Sequence, residues 1–576
     1  MAPGEARIWD DADTVENFPP STSPLTFTTA AGLGGRVCQE YARSLGVPEA
    51  QVRQLDSWTP YLLGTFHDRV YYNLLHWYRL AGIAPGNRLN RSGLEAVLGL
   101  AGPLPDEIAA TLSPFTFETG LRRARSRTRT AATYLRRMFG IDAMTREFHL
   151  EFGRFYDRYD ALEPVHGEHA YATYRRVDRD LVLRWGPMLV LDAVSLTLTG
   201  VISRLTEAFL PEAPAWFRYA VTGPGAAIGS AEPVRALTEL ARHAYADPDL
   251  AALVTATEPG RIRQSLRDRG YQEFVAEIDA YLERYGYLSV GEWALESPDL
   301  REEPAGLFLL LRGELARVGA RDGAVDPDAY LDERLSGPRR WIFDRVRSKA
   351  VRCAAHRESV RFCRARAFAV VKRMVRVMGD DLAARGLLGE STDVFYLTVG
   401  ELHGCYDQVP MADLRERVAA RKDARIDAAR LVAPAHFTTV GPGLSDAELA
   451  AQGWIPRTDI AVARDGEVLT GTPSAPGVVD DAAVVLDEPC AVTGGILVAH
   501  RADPGWAAAL PSASALVLER GGPFTRVAVA ARELGVPTVV RVPQSSRRLR
   551  TGMRIRVDGA AGTVTVLSGG GRASVS

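Results

Sequence analysis

Lysine is nearly missing from this chain: Lys349, Lys372 and Lys422 are the whole set among 69 basic residues. The rest is arginine, the usual mark of a GC-rich coding sequence, so an arginine carries weight only where its position is special. No run of about twenty apolar residues occurs, and a membrane-spanning helix is therefore not expected. Met1–Glu5 shows no basic stretch leading into an apolar one, so no secretory leader is expected and a cytoplasmic location is. Five cysteines (Cys38, Cys353, Cys363, Cys405 and Cys490) are scattered and odd in number. They fit reduced thiols and give neither a disulfide framework nor a zinc-spaced cluster. A formal net charge of -2 makes no electrostatic case for nucleic acid or an anionic membrane as partner. No internal repeat is visible.

What is present is a chain of 576 residues, enough for about three or four domains, with 46% hydrophobic and 24% charged residues, as in globular proteins. Up to about residue 435 the texture is helical, with apolar residues three and four apart. Pro187 interrupts one helical stretch, and Asp322–Asp328 and Pro434–Gly443 read as loops. Asp446–Leu469 reads as a hinge. After Gly471 short β-rich runs take over: Val478–Val479, Ala483–Leu486, Ile496–Ala499, Ala515–Leu518, Thr538–Arg541, Arg554–Val557 and Thr563–Leu567, with two helices between them. The expected architecture is multidomain α + α/β. A large mainly helical domain (1–445) is followed by a linker (446–469), a small β/α domain (470–568) and a disordered tail (569–576).

The most informative stretch runs from Ala515 to Pro537. A strand, Ala515–Leu518, enters a Gly521-Gly522 turn, Thr525 stands at the N-cap of an Ala/Val-rich helix, and Gly535 ends it. Such a junction lets backbone and ligand approach closely at a helix N-terminus. The stretch resembles the signature of the phosphohistidine swivelling domain of phosphoenolpyruvate-utilising enzymes, the family of pyruvate phosphate dikinase and rifampicin phosphotransferase: Gly-Gly-x-x-Ser-His-Ala-Ala-Ile-x-Ala-Arg-Glu-Leu-Gly-Ile-Pro. Arg526 stands where that signature has its phosphorylated histidine. Asp68–Leu74 is similar to the family's Gly-Arg-Val-Tyr-Tyr-Asn block, and Arg352–Arg373 and Asp393–Thr398 resemble late helices of its rifampicin-binding domain. The resemblance implies a helical substrate domain followed by a swivelling domain. No counterpart of the family's ATP-grasp domain or its phosphoenolpyruvate barrel is recognisable in this sequence, and three lysines are few for binding a triphosphate.

Several residues follow as candidates. Guanidinium stays protonated and has no available lone pair, so Arg526 cannot accept a phosphoryl group as histidine does. Arg526 is thus either a relic or a cation kept for an anionic group. Arg357 and Arg361, four apart on an expected helix, share one face. The resemblance implies that they face the swivelling domain, and three guanidinium groups around one point would hold phosphate or carboxylate; the bland alternative is a solvated basic face. His500, in a loop whose Asp503-Pro504-Gly505-Trp506 matches the family pattern, is a candidate base, although a lone histidine is more often a surface residue. Glu292 follows Tyr285-Gly286-Tyr287, where the family's His-Arg pair is replaced by Tyr287 and Leu288; it is a candidate acid/base if buried, or a structural carboxylate. Tyr71, Tyr72, Asn73, Tyr287, Asp503 and Trp506 are the candidate substrate-binding residues. His166-x-x-His169 lacks a third spaced ligand, so no metal is expected, and no cofactor.

Three functions stand beside one another. The first is a repurposed, non-phosphorylating relative that binds a large, partly apolar specialised metabolite with an anionic or carbonyl group and catalyses a redox-neutral cyclisation, elimination or isomerisation. The second is a non-catalytic small-molecule-binding or scaffold protein. The third is a phosphotransferase subunit that uses an ATP-grasp partner, with His500 as a new phosphoacceptor.

Overall fold

A four-stranded antiparallel sheet joins the two ends of the helical region. Its strands are β1 (Ala6–Asp10), β2 (Leu63–Phe66), β3 (Arg69–Asn73) and β4 (His436–Val440), in the order β2-β3-β1-β4. The computed structural model describes residues 6–11, 18–98, 104–160, 162, 166–222, 232–289, 293–318, 327–407, 413–440, 445–486, 494–501, 506 and 509–568. β4 corrects the expected loop at 434–443: it alternates exposed and buried residues, placing Phe437 and Thr439 inward, and pairs with β1 from Ala6↔Val440 to Asp10↔His436. The expected linker also changes. A short helix, Asp446–Ala451, is capped by Ser445, and Leu449 and Trp454 bury against Trp9, Tyr71 and Phe437. The chain leaves this packing only after Arg457–Asp459, and Ala463 already belongs to the next core.

Four helices build the body around the cavity described below: α1 (Pro24–Ser44), α2 (Asn87–Leu98), α3 (Leu189–Phe209) and α4 (Gly337–Ala384). α1 starts where Ser23 caps it and Pro24 needs no N–H partner. Glu296 fixes that start to a distant loop, accepting from the Ser23 backbone N (3.0 Å), Ser23 Oγ (2.9 Å) and Thr26 Oγ1 (2.5 Å). α2 and α3 cross at glycines. A Cβ on Gly93 would lie 2.0 Å from the Leu196 carbonyl, and one on Gly200 would lie 2.2 Å from that of Leu89, so neither helix could come as close with any other residue. α4 has 48 residues, about 70 Å at the usual rise. Phe343, Cys353, Val360, Cys363, Ala367, Val371, Met374 and Met378 form its buried stripe.

The helical run 167–209 is long and apolar enough, by length and composition, to cross a membrane. It is broken by a 3-10 turn at Gly186–Met188, and its second half, α3, packs against α2 and α4 inside the body. Helices between Glu232 and Val318 form a second core around Leu240, Phe274, Ile278 and Phe308, which meets α4 at Ala365.

The C-terminal region is an eight-stranded sheet. Its strands are β5 (Val468–Thr470), β6 (Thr472–Ala475), β7 (Val478–Leu486), β8 (Ile496–Ala499), β9 (Ala515–Leu518), β10 (Thr538–Val540), β11 (Arg554–Asp558) and β12 (Thr563–Ser568), in the order β5-β12-β11-β7-β8-β9-β10-β6. The centre, β7 to β10, is parallel. β8 and β9 are buried on both faces, which is why they read as unbroken apolar runs. Alternate residues feed two cores, Val498 and Val517 on one side and Leu497 and Leu516 on the other. Helix α5 (Arg526–Glu533) covers the second core with Val527, Ala528 and Ala531. The fold is thus a large, mainly helical region followed by a smaller β/α domain.

Candidate functional site

The α5 junction is held by a buried arginine of the same motif. Arg532 donates from Nη1 to the Pro523 carbonyl (2.9 Å), to Ser474 Oγ (3.0 Å) and to the Ser474 carbonyl (3.3 Å); burial pulls its pKa down to about 10. Gly521 sits at φ +110, outside the range of other residues. Thr525 occupies the N-cap position, but its hydroxyl donates to the Gly522 carbonyl (2.8 Å) instead of capping the helix. Together these contacts fix the direction in which Phe524 and Arg526 leave the domain.

Both residues line a cavity of about 430 Å³ whose other walls come from the helical body. Phe524 also meets Tyr219 edge to face at 5.4 Å. α4 contributes Arg357, Glu358, Arg361 and Arg364, and α3 contributes Asp192. Most of the remaining wall is apolar, with Trp77, Trp185 and Trp293 the largest groups and Phe368 beside them. Trp293 meets Phe368 edge to face at 4.9 Å, and the Arg364 guanidinium lies 4.8 Å from the Trp293 ring centre. Arg357 Nε pairs with Asp192 Oδ1 at 3.1 Å. Arg361 Nη1 is 3.6 Å from Glu358 Oε2. Among the described residues, four arginines and two carboxylates line a largely apolar surface. Such a wall suits an apolar molecule with an anionic end, or one whose oxygen gains negative charge during reaction.

The structure therefore brings Arg526, Arg357, Arg361 and Tyr72 to one cavity. It takes others elsewhere. Tyr71 and Tyr72 are neighbours on β3 and face opposite ways, so Tyr71 donates to the Pro434 carbonyl (2.9 Å) on the far side. Asn73 is fully buried at the start of the helix Leu74–Ala81 and is not on the wall of this cavity. Tyr287 is buried in the second helical core, with Arg366 5.5 Å from its ring, and burial pushes its pKa above the ordinary tyrosine value. Trp506 fills the core beneath α5 beside Leu497, Leu510 and Val527, which makes it a packing residue. Glu292 and Asp503 lie outside the described residues.

His500 belongs to a different place. It lines a small polar cavity of about 40 Å³ with Asp11, Arg69, Tyr71, Arg501 and Arg520, where the C-terminal domain meets the β1 end. Its Nδ1 lies 3.2 Å from Glu519 Oε1, and burial lowers its pKa. Around it, Arg520 Nη1 pairs with Asp11 (2.5 Å) and Nη2 donates to the Ala433 carbonyl. Arg541 pairs with the fully buried Asp10 (3.2 Å), and Arg501 donates to the Phe18 carbonyl (2.6 Å). Burial raises the Asp11 pKa to about 6, with Arg520 opposing.

Asp192, Arg364, Trp293 and Phe524 were not among the candidate residues read from sequence. Asp192 had a readable signal, being the one charge in the apolar run from Leu189 to Ser203. Among the described residues no group of three or more histidine, cysteine, aspartate or glutamate side chains is placed to hold a metal.

Two families match parts of the chain. The mobile domain of PEP-utilising enzymes matches residues 492–562, which include Arg526 and α5. The fourth domain of rifampicin phosphotransferase matches residues 190–358, which include Asp192, Arg357 and Glu358. Rifampicin phosphotransferase of Streptomyces sviceus is 34% identical over 314 residues, covering 50% of this chain and 34% of that protein. Another, from Streptomyces sp, is 31% identical over 340 residues, covering 56% and 38%. Chondramide synthase cmdD of Chondromyces crocatus is 27% identical over 361 residues, covering 58% of this chain and 9% of that protein. The chain is related to the PEP-utilising enzymes and to rifampicin phosphotransferase. It spans between a third and two fifths of the length of these two rifampicin phosphotransferases.

Proposed function

We propose that the chain binds a large, partly apolar small molecule in the cavity between the helical body and the mobile domain and carries it through a redox-neutral, cofactor-independent cyclisation, elimination or isomerisation, as a cytoplasmic enzyme of specialised metabolism. The observation that carries this reading is the cavity itself: about 430 Å³, walled by tryptophans, with Arg526 of the mobile domain and Arg357 and Arg361 of α4 on one surface. A volume of that size suits a drug-sized molecule. In apolar surroundings a guanidinium stabilises a developing oxyanion far more than it would in water. Arginine at 526 supports chemistry other than phosphoryl transfer through that position, since it offers no lone pair. The relatives named for rifampicin support an apolar ligand of comparable bulk. The buried thiols of Cys38, Cys353, Cys363 and Cys405, all free, suit a reducing compartment.

Titration with anilinonaphthalenesulfonate, a fluorophore with an apolar body and one anionic group, tests the site, with rifampicin as competitor. The expected result is one saturable site per chain, displaced by rifampicin and lost in Ala354→Phe, which places a ring inside the cavity. Fluorophore binding that Ala354→Phe leaves intact would refute the assignment.

A further inference from the structure

We propose that Glu358 is the proton-transferring residue of this cavity, an inference that rests on the functional reading above and adds a specific step to it. The cavity wall holds two carboxylates among the described residues, and their surroundings differ. Asp192 is engaged by Arg357 Nε at 3.1 Å. Glu358 is mostly buried, and its Oε2 has no hydrogen-bond partner; Arg361 Nη1, at 3.6 Å, is beyond hydrogen-bond range. A carboxylate oxygen is an acceptor only, and a buried one without a donor is costly to keep. Glu358 lines the cavity while its Oε2 is closed off and short of donors, so the carboxylate as a whole has basicity to offer a proton of the bound molecule. Glu358 and Arg361 are three apart on α4 and Arg357 is adjacent, so base and cations sit on one rigid element.

The step is a redox-neutral proton abstraction. The Glu358 carboxylate takes a proton from a carbon next to an electron-withdrawing group, and the electron pair of that C–H bond moves through the substrate onto an oxygen facing the arginines. The proton then returns at another atom in an isomerisation; in an elimination the pair on oxygen moves back to form a new carbon–carbon double bond, a leaving group departs with the electrons of its own bond, and Glu358 passes its proton to that group or to water. The substrate class is thus a carbon acid, an apolar molecule whose carbonyl or similar group makes a neighbouring C–H labile.

The test needs no knowledge of the natural substrate. The probe 5-nitrobenzisoxazole is an apolar aromatic whose C–H is removed by a general base while its N–O bond breaks. Its carbon–nitrogen double bond becomes a nitrile, the phenolate oxygen keeps the electron pair, and the proton on Glu358 passes to water. The full-length protein should release the coloured phenolate faster than acetate at equal concentration and pH. Glu358→Gln should lower that rate by about a hundredfold or more, and Glu358→Asp should lower it less. Glu358→Gln should still bind anilinonaphthalenesulfonate at least as tightly as the parent, because it removes a negative charge and keeps the shape. A parent protein that binds the fluorophore but is no faster than acetate would overturn the role of Glu358 and leave the binding reading standing. So would a rate that survives Glu358→Gln or falls instead in Asp192→Asn. Failure to bind the fluorophore at all would count against the cavity reading itself.

Discussion

The C-terminal domain meets the helical body through arginines in two regions, and these are built differently. At the β1 end, Arg520 and Arg541 meet Asp11 and Asp10, backbone carbonyls of Ala433 and Phe18 take further donors, and the remaining space is about 40 Å³. At the α5 end, Arg526 and Phe524 face a cavity about ten times larger, with a mostly apolar wall. Buried ion pairs with good partners fix geometry and leave little room for a ligand. A cavity of several hundred Å³ with guanidinium groups on an apolar wall does the reverse: it leaves room for a ligand. The first region therefore reads as the docking contact of the domain and the second as its working surface.

Breaking the docking contact should have the largest effect. Asp10→Ala leaves Arg541 without its fully buried partner and should cost about 3–5 kcal/mol, read by chemical unfolding. Tryptic cleavage after the exposed Arg457, where the chain leaves the first sheet, should quicken at the same time. Unchanged stability and unchanged cleavage would mean that these pairs do not hold the domain.

Titration separates the two regions further. Burial raises the folded-state pKa of Asp11 to about 6, above its ordinary value of 3.8. The native state then holds the proton through a range where the unfolded chain has lost it. The contribution of Asp11 is fully present below about 3.8 and declines as pH rises through 6. Asp11→Asn, which does not titrate, should therefore gain stability relative to the parent as pH rises from about 4 to 6, whatever its offset from losing the Arg520 pair. A difference independent of pH across that window would contradict the assignment. The smallest effect should come from the working surface. Phe524→Ala gives up the edge-to-face contact with Tyr219 and should cost about 1 kcal/mol, with binding of the anionic fluorophore largely retained.

Local pattern foretold much of the C-terminal domain. β8 and β9 are apolar on both faces and the Ala515–Pro537 junction is continuous in sequence, so short-range signals sufficed. The sheet at the other end escaped because β1 and β4 pair across more than 400 residues, and neither strand announces its partner. The alternation His436-Phe437-Thr438-Thr439-Val440 was present but lay between Pro434 and a glycine-rich stretch, which read as a loop. The candidate site was legible for a matching physical reason. The shared helical face of Arg357 and Arg361 follows from spacing, and so does Glu358 beside them. Tyr71 and Tyr72 could not both serve one cavity, since adjacent strand residues face opposite ways. Trp506 kept its place in the motif as a core residue beneath α5.

The central claim is that Arg526 is kept for an anionic group in the cavity. The most direct measurement compares the affinity of anilinonaphthalenesulfonate for the parent, for Arg526→Ala and for Arg520→Ala, each at low and high salt. Arg526→Ala should weaken binding about tenfold, roughly 1.4 kcal/mol, and flatten its dependence on salt. Arg520→Ala should lower stability but leave the affinity of the folded protein near that of the parent. An affinity and salt dependence that Arg526→Ala leaves unchanged would contradict the account and make the arginine a relic.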